Sequence, residues 1–258
     1  MDHENEYHDS MVKMLELIWG AGYMAPGGAG NVARMLDGLE PAGKRILDIG
    51  SGIGGPALDM AATHGATVVG IDLEEPLVAR ANADSEKAGL DQRCTFLRVD
   101  QGPLPFDTNE FDVVTSSGAL TQTEDKSALF AEILRVLRPA GWLSVYDWMK
   151  VDGEYSADMR YWFEMEGLTY AMVTLEQQAA LLGEAGFENV AATDATEWYR
   201  REAWHEYERL RGELKPKMIE LLGTDEAEHF IENWRAMVVV IDTGEMRQAY
   251  CRGQKPVI

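Results

Sequence analysis

Apolar and polar positions along this chain change their period as they go. Between residues 8 and 19, Met11, Met14, Leu15, Ile18 and Trp19 recur near one helical face, which predicts an amphipathic helix. Residues 20–30 break that order with five glycines and Pro26, and residues 31–39 return to a helical pattern. From residue 44 onward, short apolar runs alternate with helical stretches. Strands are predicted at 45–49, 67–71, 95–99, 111–115 and 142–146, with helices at 57–63, 75–88 and 126–137 between them. Such alternation implies an α/β fold: a Rossmann-like, seven-stranded, mostly parallel sheet with helices on both faces.

Beyond Asp147 the alternation falters. Residues 153–167 are rich in aromatics and acids without a clear period. Residues 174–185 read as a helix closed by Gly186, and 187–192 as a sixth strand. Residues 198–222 form a long helical stretch interrupted at Pro216, and 226–237 another helix. The runs 238–241 and 248–252 are strand candidates. The expected organisation is an N-terminal helical cap (1–39), a cofactor-binding core (40–195), and a helical insertion with the last strands (196–258). The helical additions are expected to form a lid.

Composition narrows the classes. The 258 residues are 46% hydrophobic and 26% charged, which excludes a disordered or fibrous chain. Lys and Arg number 23 against 44 Asp and Glu, a formal charge of −21. So acidic a chain repels phosphate backbones and anionic headgroups, so nucleic acid and membrane surfaces are set aside as partners. The acidity serves either a cationic substrate or solubility in a salty medium. Cys94 and Cys251 have no paired metal or redox spacing, although sequence alone leaves a disulfide open. The opening residues, Met1 to Glu6, lack the basic start and apolar core of a signal peptide, and no apolar run spans a bilayer. The expectation is a cytoplasmic protein.

The strongest local signal is Asp48-Ile49-Gly50-Ser51-Gly52-Ile53-Gly54-Gly55. Alternate glycines let a strand turn sharply into a helix and admit a ligand close to the backbone. The spacing is G-x-G-x-G, not the G-x-G-x-x-G of dinucleotide sites, and an acid precedes it. A carboxylate there opposes a pyrophosphate and suits a cationic amino-acid group, which favours S-adenosylmethionine over NAD. Asp72 ends the next strand, where a carboxylate accepts from ribose hydroxyls. Asp100 ends the third, where it can accept from an adenine amino group. Three acids thus fall in order at one sheet edge, the ligand edge of open α/β folds.

With these features the chain resembles the class I S-adenosylmethionine-dependent methyltransferases. Phe111-Asp112-Val113-Val114 and Arg138-Pro139-Ala140-Gly141 fit the same pattern. More narrowly, the stretch Trp19 to Gly28, Ile53-Gly54-Gly55-Pro56-Ala57 and Gly70-Ile71-Asp72-Leu73 resemble the phosphoethanolamine N-methyltransferases. The resemblance implies S-adenosylmethionine contacts at Tyr23, Asp48, Gly50, Ser51, Gly52, Asp72, Leu73, Asp100, Gln101 and Ser116. That group pairs a tyrosine of the first helix with a histidine after the fourth strand. Tyr7 matches the tyrosine, but Gln122 stands in place of the histidine and Gly118 in place of an aspartate. Leu168 stands where an arginine is expected, and no lysine lies near Asp242 to Glu245 to serve as a phosphate contact. Phosphate recognition leans on such cations, so a phosphomonoester fits poorly.

The remaining candidates divide between chemistry and packing. Trp148, Tyr161, Trp162, Tyr170, Trp198, Tyr199, Trp204 and Tyr207 either box an ammonium or sulfonium group or pack a lid; Trp148 and Tyr170 stand nearest the expected pocket. Asp147 faces a substrate amine or caps the following segment. Arg160, Arg200 and Arg201 hold a substrate carboxylate or form surface ion pairs. His64, His205 and His229 lack metal spacing, so no metal is expected. The reading is a methyltransferase for a small polar, cationic or zwitterionic molecule. An amine nitrogen on a non-phosphorylated acceptor leads, with Tyr7, Gln122, Trp148 and Tyr170 at the acceptor. The alternatives are O- or S-methylation, or a non-catalytic S-adenosylmethionine-binding protein.

Overall fold

A computed structural model describes residues 7, 9–168 and 170–257. The acidic opening Met1 to Glu6, residue 8 of the first expected helix and Thr169 lie outside the described residues. The first two helices, α1 (Asp9–Trp19) and α2 (Gly28–Leu36), precede the sheet. Then come β1 (Arg45–Ile49), α3 (Gly55–Ala62), β2 (Thr67–Asp72), α4 (Glu75–Lys87), β3 (Cys94–Arg98) and β4 (Phe111–Ser117). A short 3-10 turn (Leu120–Gln122) leads into α5 (Lys126–Val136) and β5 (Leu137–Lys150). The remainder is α6 (Ala157–Glu166), α7 (Leu175–Glu184), β6 (Glu188–Asp194), α8 (Thr196–Arg211), α9 (Lys215–Leu222), α10 (Thr224–Asp242) and β7 (Met246–Gln254).

The seven strands form one sheet in the order β3-β2-β1-β4-β5-β7-β6. Strands β1 to β5 are parallel, and β7 inserts antiparallel between β5 and β6. The two faces of the sheet carry separate cores. Ile46 and Val68 pack with α2, α3 and α4 on one face. Leu47, Val69 and Val114 pack with α5 and α7 on the other. A third core joins α1, α6, α8, α9 and α10 around Trp162, Tyr199 and Trp234. The order reverses between β1 and β4, so their carboxyl ends open a crevice, the ligand position of such sheets.

Several expectations are corrected. The run 238–241 is not a strand; it is the last part of α10. Val238, Val240 and Ile241 are β-branched, but burial in the helical core outweighs a strand preference worth about 1 kcal/mol at most. Pro216 does not interrupt a helix. It sits in the first turn of α9, where its missing N–H is free of cost, and the break falls at Gly212 to Leu214. Residues 157–166, without a clear period in the sequence, form α6, capped by the Ser156 hydroxyl accepting from the Met159 N–H. The third strand ends at Arg98, before Asp100. Cys94 and Cys251 are both free and buried, on β3 and β7, with four strands between them. Among the described residues, no helix is long and apolar enough to cross a membrane.

Candidate functional site

The Gly-rich turn is packed so tightly against its neighbours that side chains would not fit on its glycines. Gly50 and Ser51 both donate their N–H groups to the Ile71 carbonyl, at 2.9 and 3.0 Å, which ties the end of β1 to β2. Gly50 has φ 71°, and a Cβ on it would come within 2.2 Å of the Ala119 Cβ. Glycine is therefore required there twice over, for conformation and for space. Asp72, the last residue of β2, accepts from the Gly52 N–H (2.8 Å) and the Glu74 N–H (3.0 Å). Its carboxylate thus braces the turn and sits at its mouth. Burial pushes its pKa up, and the two backbone hydrogen bonds pull it back.

Asp48 lies deeper. It pairs in register with Gly70 and Thr115, two residues short of Asp72 along the sheet. The Thr115 hydroxyl donates to it at 2.8 Å. Burial raises its pKa to about 7, Thr115 pulls it down, and the charge of Asp72 raises it further. Ser116 is fully buried, its hydroxyl donating to the Ile49 carbonyl at 2.8 Å. Ser51 is buried, and its hydroxyl has no hydrogen-bond partner among the described residues. Tyr23 is half-buried near the turn, with its pKa raised to about 12 by burial and by Asp59. Leu73, 45% exposed, and Gln101 lie at the surface. Asp100 is solvent-exposed two residues past β3, held by Arg98 at 2.5 Å. The sheet edge thus brings Asp48, Asp72 and the turn together, while Asp100 stands apart in an ion pair.

Next to the turn is a pocket, the candidate place for an acceptor. Gly55 N–H donates to the Gly22 carbonyl (3.0 Å), and Gly22 N–H donates to the Glu16 carboxylate (2.8 Å), which pins the segment after α1 to the turn. Met24, Ala25 and Pro26 of that segment line the pocket, as do Gly118 and Gln122 from the loop after β4. Tyr7 lines it too, and it also packs in the small cluster with Val12, Ile53 of the turn and Leu77. Trp148 enters from the end of β5, and Trp162, Glu166 and Tyr170 from α6 and just beyond. Phe230, Asn233, Trp234 and Met237 of α10 close the far side. All four residues expected at the acceptor, Tyr7, Gln122, Trp148 and Tyr170, therefore meet in one pocket, as does Leu168.

Glu166, Asn233, Trp19 and Trp234 also line the pocket without a signal in the sequence, and Trp162, open between boxing a cation and packing, lines it too. Glu166 accepts from the Tyr170 hydroxyl (3.1 Å) and from Asn233 Nδ2 (2.5 Å). Burial pushes its pKa up, and these two donors oppose the shift. Tyr170 stacks on Trp162 with centroids 5.1 Å apart and planes at 18°. Behind the wall, Glu206 accepts from Trp19 Nε1 (2.7 Å), Trp234 Nε1 (3.1 Å) and the Tyr199 hydroxyl (3.4 Å). Burial raises its pKa to about 7. Among the described residues the pocket lining holds no Lys or Arg, and Glu166 is its one carboxyl side chain.

The other candidates fall elsewhere. Arg200 pairs with Asp242 (2.7 Å), Arg201 lies 3.8 Å from Glu197, and Arg160 donates to the Tyr155 carbonyl, all at the surface. Tyr161 and Trp204 are exposed and bonded to Glu232 and Asp242. Trp198 lies under the Arg34 guanidinium, 4.4 Å from its centroid. Tyr199 is buried and backs Trp148 edge-on at 5.2 Å. Asp147 neither lines the pocket nor caps a helix. It accepts from the Trp148 N–H (2.8 Å), and burial raises its pKa to about 7, against the opposing charge of Lys126. Lys126 donates to the Leu120 and Thr123 carbonyls, at 2.6 and 3.0 Å, so this buried pair braces the turn that carries Gln122.

These buried carboxyls set a pH dependence. Asp48, Asp147 and Glu206 all have folded pKa values raised to about 7. The folded protein therefore holds protons that the unfolded chain releases above roughly pH 4. Their contribution is most favourable in acid and is lost as pH rises through about 7. The expected result is a Tm that falls steadily between about pH 5.5 and pH 8; a flat or rising Tm in scanning calorimetry would contradict these assignments.

Comparison with known proteins agrees with this geometry. The profile of a methyltransferase domain matches residues 47–145. The 27-O-demethylrifamycin SV methyltransferase of Amycolatopsis mediterranei (strain S699) is 34% identical over 211 residues, 76% of this chain and 77% of that protein. Phosphoethanolamine N-methyltransferase 3 of Arabidopsis thaliana is 27% identical over 243 residues, 94% of this chain but 49% of that protein. The chain thus spans about half the length of that curated relative. Among solved structures, Haemonchus contortus phosphoethanolamine N-methyltransferase 2, in complex with phosphomonomethylethanolamine and S-adenosylhomocysteine, superposes with a TM-score of 0.90 at 25% identity. The match covers 98% of this chain and 59% of that one.

Proposed function

This chain belongs to the class I S-adenosylmethionine-dependent methyltransferases, and on that premise we propose that it moves a methyl group onto an amine nitrogen of a small, non-phosphorylated molecule. One observation carries the acceptor class: the pocket beside the Gly-rich turn is walled by aromatic rings and holds one carboxylate, Glu166, with neither Lys nor Arg among its described residues. Phosphomonoesters are recognised by guanidinium or ammonium donors, and a dianion close to a buried carboxylate is repelled. An amine suits the same walls.

The turn fits S-adenosylmethionine. Gly50 lets the loop after β4 close on the turn through Ala119, Asp72 presents a carboxylate at its mouth, and the Ser51 hydroxyl is buried and without a partner among the described residues. Asp72 would hold the ribose, with Asp48, Gly50, Ser51, Gly52 and Ser116 beneath. Tyr23, Leu73, Asp100 and Gln101 would stand around the rest. The bound cofactor supplies a methyl group on a positively charged sulfur, already activated for transfer. What remains for the chain is alignment and the exclusion of water. Tyr7 touches both the turn and the pocket, so it orients the amine and helps its proton depart. Gln122 is a neutral amide and can only orient by hydrogen bonding. Trp148 and Tyr170 fix the acceptor from the side.

Tyr7→Phe is expected to lower kcat about tenfold while S-adenosylmethionine affinity stays within twofold, because the hydroxyl serves the acceptor alone. Steady-state kinetics alongside calorimetry decide this; an unchanged kcat would leave Tyr7 a packing residue. A second reading, transfer to oxygen, is favoured by the relative whose name gives 27-O-demethylrifamycin as its substrate. S-adenosylhomocysteine release across a panel of small amines, hydroxy acids and thiols tests the proposal. Release with amines supports it. Release with hydroxyl or thiol compounds alone moves the chemistry off nitrogen. Cofactor binding with no release anywhere makes the chain a non-catalytic binder.

A further inference from the structure

Glu166 and Asn233 have no counterpart among the expected acceptor residues, and the helices that carry them lie far apart in sequence. In the fold they touch. Asn233 Nδ2 donates to Glu166 Oε2, and the Tyr170 hydroxyl donates to Glu166 Oε1. A carboxylate offers about four lone-pair positions, so acceptor capacity remains on both oxygens. Asn233 is 4% exposed, and its Oδ1 has no hydrogen-bond partner among the described residues. An orphan acceptor that deep is costly unless a donor meets it. The pocket thus holds one acceptor without a protein donor among the described residues, Asn233 Oδ1, beside the spare acceptor capacity of Glu166. Among the described residues neither Lys nor Arg lines it to pair with the Glu166 carboxylate, and an unpaired buried charge is strongly disfavoured.

Aromatic faces surround the pair. Tyr170 stacks on Trp162, and Trp148 lies 6.3 Å from Trp162, centroid to centroid. Rings so placed attract a cation through their negative faces, by about 0.5–2 kcal/mol each. A second hollow adjoins the first through Met11, Glu166, Leu168, Phe230 and Asn233, and adds Glu226 and His229. Glu166 therefore sits at the seam between an outer hollow bearing another acid and the aromatic interior.

We infer that Glu166 and Asn233 form the receptor for the N–H donors of the acceptor's ammonium group, and that the acceptor is an alkylamine with no second, anionic group. The inference rests on the amine reading above and deepens it. A carboxylate or phosphate on the acceptor finds no cation among the described lining residues and meets Glu166 at close range. An alkyl chain meets Met11, Leu15 and the rings instead. Glu166 and Asn233 thereby select the acceptor, whereas Tyr7 and Gln122 orient it.

The test is a binding experiment on the protein loaded with S-adenosylhomocysteine, so that no transfer takes place. The probes are n-propylammonium, 1-butanol as an uncharged alcohol one carbon longer, so that chain length alone favours the alcohol, and phosphoethanolamine, read by quenching of the tryptophans that line the pocket. The expected order is n-propylammonium at least tenfold tighter than 1-butanol, with phosphoethanolamine weakest. Glu166→Gln should erase the preference for n-propylammonium over 1-butanol while keeping S-adenosylhomocysteine affinity, which also shows that the variant is folded. If wild-type protein binds both neutral and charged probes alike, or Glu166→Gln keeps the preference, the inference is overturned, even where amines are methylated. If the preference and its loss appear but no amine is methylated, the ammonium receptor stands and the amine-transfer reading falls. A variant that does not fold leaves the wild-type comparison of the three probes to decide.

Discussion

Asp72→Ala weakens S-adenosylmethionine binding by roughly 1.5–3 kcal/mol, a ten- to hundredfold loss, because the bonds lost are to a charged group. Two effects add. The variant removes the carboxylate that would receive the ribose hydroxyls. It also strips the Gly52 and Glu74 N–H groups of their acceptor, so the turn loses its brace at the same moment. Asp72→Asn separates the two. The amide oxygen can still accept from one backbone N–H, so the turn is better preserved than in the alanine variant, while the charge-assisted ribose bonds are gone. Isothermal titration calorimetry should rank the affinities wild type, Asn, Ala. Equal affinity in all three would remove Asp72 from the cofactor site. Fold stability is the smaller effect, since Asp72 is partly exposed and burial already raises its pKa.

The second large effect is at Gly55. A Cβ built there falls 2.0 Å from the Gly22 carbonyl oxygen and 2.5 Å from its carbon, both backbone atoms that cannot rotate away. Gly55 is the first residue of α3, where alanine would gain about 1 kcal/mol of helix propensity. That gain is outweighed, because the clash forces the chain around Gly22 to move and breaks the bond from Gly55 N–H to the Gly22 carbonyl. Overpacking of this kind costs about 1–3 kcal/mol, and backbone against backbone lies at the upper end. The displaced segment carries Tyr23, Met24, Ala25 and Pro26, so cofactor turn and acceptor pocket lose their common wall together. Gly55→Ala is expected to lower Tm and to abolish turnover. A variant with wild-type Tm and activity would mean that the contact between Gly22 and Gly55 is dispensable.

The two halves of this site differ in how far they could be read beforehand. Asp48, the glycines after it and Asp72 lie on consecutive strand ends, within 24 positions, so local spacing alone placed them at one edge. Tyr7, Gln122 and Tyr170 were suggested by resemblance and Trp148 by its place just after the fifth strand, and the four converge in one pocket. Glu166 was not legible: in a chain with 44 acidic residues, one Glu on an irregular aromatic stretch carries no signal. Asn233 and Trp234 read as parts of an amphipathic helix. Their chemistry exists only because α10 packs on α6, a pairing of segments 67 residues apart that no local period encodes. The same packing turned Val238 to Ile241 from an expected strand into helix. Asp100 is placed by the sequence at the end of the third strand, whereas β3 stops at Arg98 and that arginine pairs with Asp100 at the surface.

The central claim is transfer of a methyl group to a non-phosphorylated amine, and a side-by-side comparison of ethanolamine and phosphoethanolamine as acceptors tests it most directly. Both offer the same nitrogen, so only the phosphate distinguishes them. With S-adenosylmethionine saturating, mass spectrometry of each acceptor should show methylated ethanolamine accumulating at least tenfold faster per unit of enzyme than methylated phosphoethanolamine. The reverse order would contradict the account, because it would require a phosphate site in a pocket whose described lining has no Lys or Arg.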